Sequence, residues 1–192
     1  TTANGTGKVY IYERTGTNWS YTTTLAPVTN RWAAFGASLD AVGNTVVIGA
    51  YGDDTLGEGV GAAYVYTYTG SDWALEAKLL PLPAADYDFG RSVCFDGQRA
   101  VVGAPCIDSG TRSGCAYVFS RVGTNWVAGL RLEPHDGEAN DRFGEAVGAA
   151  NGYIAVGAPY ENTPNWRAGA VYVFDINPPE AASSPIPASG AT

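Results

Sequence analysis

The stretch "FGRSVCFDGQRAVVGAP", Phe89 to Pro105, opens on Phe-Gly and closes on Gly-Ala-Pro, with two short apolar runs joined through Asp96-Gly97. The same frame recurs along the chain. Phe-Gly stands at Phe35-Gly36, Phe89-Gly90 and Phe143-Gly144, each 54 residues after the last, and Gly49-Ala50, Gly103-Ala104 and Gly157-Ala158 keep that step. A third marker is "KVYIY" from Lys8, "AAYVY" from Ala62, "CAYVF" from Cys115 and "AVYVF" from Ala170. A fourth is a tryptophan, an apolar run and a proline: Trp19 to Pro27, Trp73 to Pro81, Trp126 to Pro134. Four markers on one period define an internal repeat of the size used by solenoids, propellers and arrays.

Each unit reads as four short strands. The first follows Phe-Gly, as in "ASLDAV", "RSVCF" and "EAVGAA", and the second ends on Gly-Ala. Gly43-Asn44, Asp96-Gly97 and Asn151-Gly152 join them, and Asn-Gly or Asp-Gly suits a two-residue hairpin because both central residues take positive φ. A polar, Gly-rich loop leads to the aromatic third strand, and turns such as "RTGTN", "YTGSD" and "RVGTN" lead on to a fourth that holds the tryptophan. In "VYIY", Val9 and Ile11 point one way while Tyr10 and Tyr12 point the other. Both faces are apolar, so such a sheet needs cover on both sides. Small meanders that bury one another around an axis make a β-propeller.

Composition agrees. Of 192 residues 45% are hydrophobic and 12% aromatic, Gly numbers 25 and Met is absent, and no helical period runs through any long window. The net charge of −8 excludes a phosphate backbone as partner, since that needs a basic stripe. No apolar run is long enough to span a bilayer as a helix. The chain opens on Thr1 with neither a Met nor a leader pattern, which reads as a processed or excised segment.

Phe-Gly followed by "VGAP", with "YVF" strands between, resembles the FG-GAP repeat of integrin α-subunit propellers, in the variant with "GTxW" turns found in secreted and surface proteins. The resemblance runs from about Gly7 to Asp175. It implies propeller blades and a role in extracellular adhesion, ligand binding or scaffolding. Many members carry an Asp-rich calcium loop between the first two strands. Here those connections are "AVGNT", "FDGQR" and "AANGY", too short and too poor in carboxylates to enclose the ion.

The expected architecture is therefore all-β: blades of four-stranded antiparallel meanders, about three and a quarter repeats. A partial unit covers 8–34, and units follow at 35–88, 89–142 and 143–176. Propellers usually have 4 to 8 blades, so the expectation is an incomplete arc belonging to a larger ring or assembly. Residues 177–192, rich in Pro, Ala and Ser, read as a linker, stalk or tail.

Candidate sites are few. Cys106 and Cys115 flank one loop at adjoining strand ends, which favours a disulfide over two buried free thiols, while Cys94 reads as an inert buried thiol. Asp53, Asp54 and Glu58 in one loop, with Asp108, Glu161 and Asn162 in its counterparts, offer oxygen ligands for calcium, as do Asp136, Glu138 and Asp141 before Phe143. Solvated acidic loops are the plainer alternative, and no cofactor is expected. His135 is the only histidine and has no nucleophile elbow beside it, so no catalytic residues are expected and the chain reads as non-enzymatic. Trp19, Trp73 and Trp126 keep the period and read as blade packing. Trp32 and Trp166 fall outside it and are candidates for binding a sugar or a protein partner. Asn4 and Asn18 match the N-glycosylation pattern.

The function expected is an extracellular or cell-surface adhesion or assembly module, secreted, that binds protein partners or self-associates through open propeller ends. The alternatives are a carbohydrate-binding module and a non-catalytic accessory domain of a secreted enzyme.

Overall fold

The computed structural model describes residues 5–27, 32–82, 86–107, 110–162 and 165–176. Among them there are thirteen strands and no helix. A two-stranded sheet comes first, β1 (Val9–Thr15) with β2 (Asn18–Leu25). Two four-stranded meanders follow: β3 (Ser38–Val42), β4 (Thr45–Ala50), β5 (Ala62–Tyr68), β6 (Trp73–Leu79), then β7 (Ser92–Phe95), β8 (Arg99–Ala104), β9 (Cys115–Val122), β10 (Asn125–Leu132). Last come β11 (Ala146–Ala150), β12 (Tyr153–Ala158) and β13 (Ala170–Asp175). All pairs are antiparallel between sequence neighbours. These are propeller blades set in an arc, with no closed ring among the described residues.

The hairpin turns differ among units. Asn151 and Gly152 both take positive φ, 53° and 80°, as a two-residue turn with mirror-image geometry requires. In the unit that opens at Phe89 the connection instead takes three residues, 96–98. There the Asp96 carboxylate accepts from the Gln98 and Arg99 amides, so a side chain closes the turn.

Phe-Gly is the joint between sheets. Each Phe packs on the aromatics of its own third strand: Phe35 on Tyr64 and Tyr66, Phe89 on Tyr117 and Phe119, Phe143 on Tyr172 and Phe174, centroids 5.3–6.3 Å apart. Its amide reaches back to the preceding unit. Phe89 N–H donates to Val60 O at 3.0 Å and Phe143 N–H to Ser113 O at 2.7 Å. The Gly that follows has φ of 90° to 96° in all three units, a backbone that only glycine adopts without strain. It also lets the chains touch: a Cβ on Gly49 would stand 2.0 Å from the Gly90 carbonyl oxygen, and one on Gly103 2.0 Å from that of Gly144. Ser38 and Ser92 hydroxyls donate to the same two carbonyls, at 2.9 and 2.7 Å.

Three apolar layers result. Val9 and Ile11 meet Phe35, Val46, Ile48, Tyr64 and Tyr66. Val47, Ala63 and Val65 meet Phe89, Tyr117 and Phe119. Cys94, Val101 and Val118 meet Phe143, Ile154 and Val156. Every internal interface thus sets an aliphatic face against an aromatic one. Burial of each such Phe or Val contributes roughly 1.5–3 kcal/mol, so neighbouring sheets hold one another in place.

Candidate functional site

The first tyrosine of each third strand organises the polar chemistry. The Tyr64 hydroxyl donates to Asp53, which is fully buried. Lys78 on β6 lies directly opposite Tyr64 in the strand register, and its Nζ donates to both Asp53 oxygens at 2.9 Å. The Thr55 amide adds a 3.0 Å bond. One sheet later Tyr117 donates to buried Asp86, and Arg131, opposite Tyr117 on β10, donates to both Asp86 oxygens at 3.0 and 3.1 Å. Arg112 adds a 2.7 Å bond. Burial works against ionisation of both carboxyls, but these donors prevail and hold Asp53 and Asp86 below the ordinary carboxylate range. Burial first, then the adjacent carboxylate, pushes the Tyr64 and Tyr117 hydroxyls up.

The last sheet has the tyrosine and the acids. Tyr172 donates to exposed Asp136 at 2.7 Å, and His135 stands 3.5 Å from the same carboxylate. The charges of Asp136, Glu161 and Asp141 all bear on the Tyr172 hydroxyl, which burial first and then these groups push up. Asp141 is 1% exposed. Its Oδ2 accepts from the Glu138 amide at 2.6 Å, while its buried Oδ1 has no hydrogen-bond partner among the described residues.

The calcium candidates have other duties or stand apart. Asp53 spends its oxygens on Tyr64, Lys78 and Thr55. Asp54 closes its own loop by accepting from the Gly59 amide at 3.1 Å, and Glu58 and Glu138 are exposed. Among the described residues no group of three or more His, Cys, Asp or Glu is arranged to hold a metal. Asp108 and Asn4 lie outside the described residues, and Asn18 is exposed at the start of β2.

Cys106 and Cys115 are neighbours, as their places in the repeat suggest, but they are free thiols. The disulfide expected from the sequence is not formed here, and the two stand as buried thiols in mutual contact. That contact lowers Cys106 and, with burial, raises Cys115. Cys94 is buried, and burial pushes its thiol up to about 12. Trp73 and Trp126 pack against the cores, and Trp126 also donates to Glu76 of the preceding sheet at 3.0 Å. Trp19 does not: it is exposed, because the first sheet has no inner strands to support it. Trp32 and Trp166 are both exposed, Trp166 carrying the Arg167 guanidinium 4.6 Å from its ring centre.

The FG-GAP repeat family matches this chain at three consecutive stretches, residues 25–66, 73–119 and 126–174. Each match ends on the second aromatic of a third strand. The chain belongs to the FG-GAP repeat family, whose repeats are found in extracellular adhesion-type proteins. No curated protein matches the chain. No helix among the described residues is long and apolar enough to cross a membrane.

Sequence reasoning singled out Asp53 but missed Asp86, Lys78 and Arg131. The signal was present: Lys78 and Arg131 are 53 residues apart, as are Tyr64 and Tyr117. Asp86 has no such signature, because it comes from the loop before Phe89 whereas Asp53 comes from the loop after β4.

Proposed function

We propose that this chain is a non-enzymatic extracellular assembly or adhesion module whose end sheets are its binding surfaces. One observation carries the reading. Val171 and Val173 on the last sheet are 69% and 65% exposed, and Tyr10 and Tyr12 on the first are 56% and 53% exposed. In repeat register, the valines match the aliphatic face of an internal interface and the tyrosines match its aromatic face. Gly157, the counterpart of Gly49 and Gly103, has only Ala146 within 4 Å of a would-be Cβ. Exposed apolar faces of this kind mark association sites, and two different complementary faces give head-to-tail stacking. Copies of this chain, or a protein partner presenting either face, fit there.

Light scattering tests it. The expected result is a species heavier than the 20.0 kDa chain that dissociates when Val173→Glu is introduced. A single 20.0 kDa species at every concentration overturns self-association through these faces. A carbohydrate-binding role is the second reading, and the exposure of Trp32 and Trp166 favours it. Glycan binding that disappears in Trp32→Ala or Trp166→Ala supports that role, and its absence from the native chain refutes it.

A further inference from the structure

In both complete four-stranded sheets the fourth strand sets a cation opposite the third-strand tyrosine. Tyr64 faces Lys78 and Tyr117 faces Arg131, each cation bonded to the buried Asp beside the tyrosine hydroxyl. The surrounding pattern is shared too. A tryptophan stands five residues before the cation, Trp73 or Trp126, and a buried leucine follows it, Leu79 or Leu132. β13 has β12 on one side and no strand on the other among the described residues. Its acids are nevertheless in place. Tyr172 bonds Asp136, and Asp141 lies buried nearby with Oδ1 unpartnered among the described residues.

We propose that the edge of β13 left open among the described residues is a docking site for an extended strand supplied from outside residues 1–192, carrying Lys or Arg opposite Tyr172 and a leucine next to it. This rests on the reading of the end sheet as an association surface and names what one of its partners must present. The chemistry is strand addition: main-chain bonds supply affinity, and the cation meeting Asp141 and Asp136 supplies selection. Sources within residues 1–192 do not fit. Residues 177–192 contain neither Lys nor Arg. β2 places Thr24 opposite Tyr10, so a second copy's first sheet brings no cation. β6 and β10 are already seated in their own sheets.

The probe is a labelled peptide of the β10 sequence "NWVAGLRLE", residues Asn125 to Glu133, titrated with the full chain and followed by fluorescence anisotropy. A second peptide carries Arg131→Glu. The expected result is saturable binding of the first peptide, weakened at least tenfold in the second and reduced by added salt. Asp141→Asn, or the exposed Asp136→Asn should the first fail to fold, weakens it likewise, and amide exchange of residues 170–175 slows on binding. Equal binding of the two peptides, unchanged exchange in β13, or no saturation up to about 1 mM overturns the proposal. A chain that self-associates but binds neither peptide refutes strand docking alone. A 20.0 kDa monomer that binds the arginine peptide refutes self-association alone.

Discussion

Gly103→Ala and Gly157→Ala are the same chemical change at equivalent points of two units, and the structure assigns them opposite outcomes. Neither glycine needs a left-handed backbone, so conformational strain is equal and near zero. At Gly103 the new Cβ falls 2.0 Å from the Gly144 carbonyl oxygen, and a backbone atom cannot swing aside as a side-chain tip does. The two sheets must separate by more than 1 Å. Overpacking of this kind costs about 1–3 kcal/mol, and the Ser92 hydroxyl loses its 2.7 Å bond to the same carbonyl, worth about 1 kcal/mol. The expected loss is about 3 kcal/mol, a Tm decrease of about 6–12 °C for a domain of this size. At Gly157 the nearest atom to a Cβ is the Ala146 methyl at 3.6 Å. There alanine restricts the unfolded chain and changes stability by roughly 0 to +0.5 kcal/mol. Urea titration followed by tryptophan fluorescence separates the two. Equal losses in both variants, or a Gly103→Ala midpoint within about 0.5 kcal/mol of the parent, refutes the claim that Phe-Gly turns seat against the preceding sheet.

The buried carboxylates give further expectations. Lys78→Ala leaves fully buried Asp53 without its cation and costs about 3–5 kcal/mol in the same assay. Arg131→Ala costs less, because Arg112 still bonds Asp86. Asp53 and Asp86 both titrate below their ordinary value of 3.8 when folded, so the stability they supply is complete above that pH and is lost as pH falls through their lower folded values. Unfolding midpoints measured from pH 6 downward should therefore hold steady to about pH 4 and then fall, and less steeply in Asp86→Asn. Mild oxidation should join Cys106 to Cys115 and leave Cys94 free, read by peptide mass mapping; a bond involving Cys94 contradicts the thiol pairing.

Most of the architecture was legible because the repeat is written in residues whose roles are backbone roles. Phe-Gly and Gly-Ala mark where two chains touch, and alternation in "VYIY" and "AYVF" marks strands covered on both faces. The site was less legible. A buried ion pair leaves no local pattern when its members come from a loop, a third strand and a fourth strand, as Asp86, Tyr117 and Arg131 do. Asp53 looked like a free loop acid because its partner Lys78 is 25 residues further on. Trp19 kept the period of Trp73 and Trp126, yet periodicity records what a complete sheet buries, and its own sheet has two strands.

Hydrogen exchange, resolved strand by strand and repeated over a range of protein concentrations, tests the stacking account most directly. The account predicts that β5 and β9, enclosed between neighbours, exchange slowly at every concentration, while β1 and β13 exchange fast when dilute and slow as the protein is concentrated. Fast exchange in β13 that ignores concentration, or exchange in β5 and β9 as fast as in the end sheets, contradicts it.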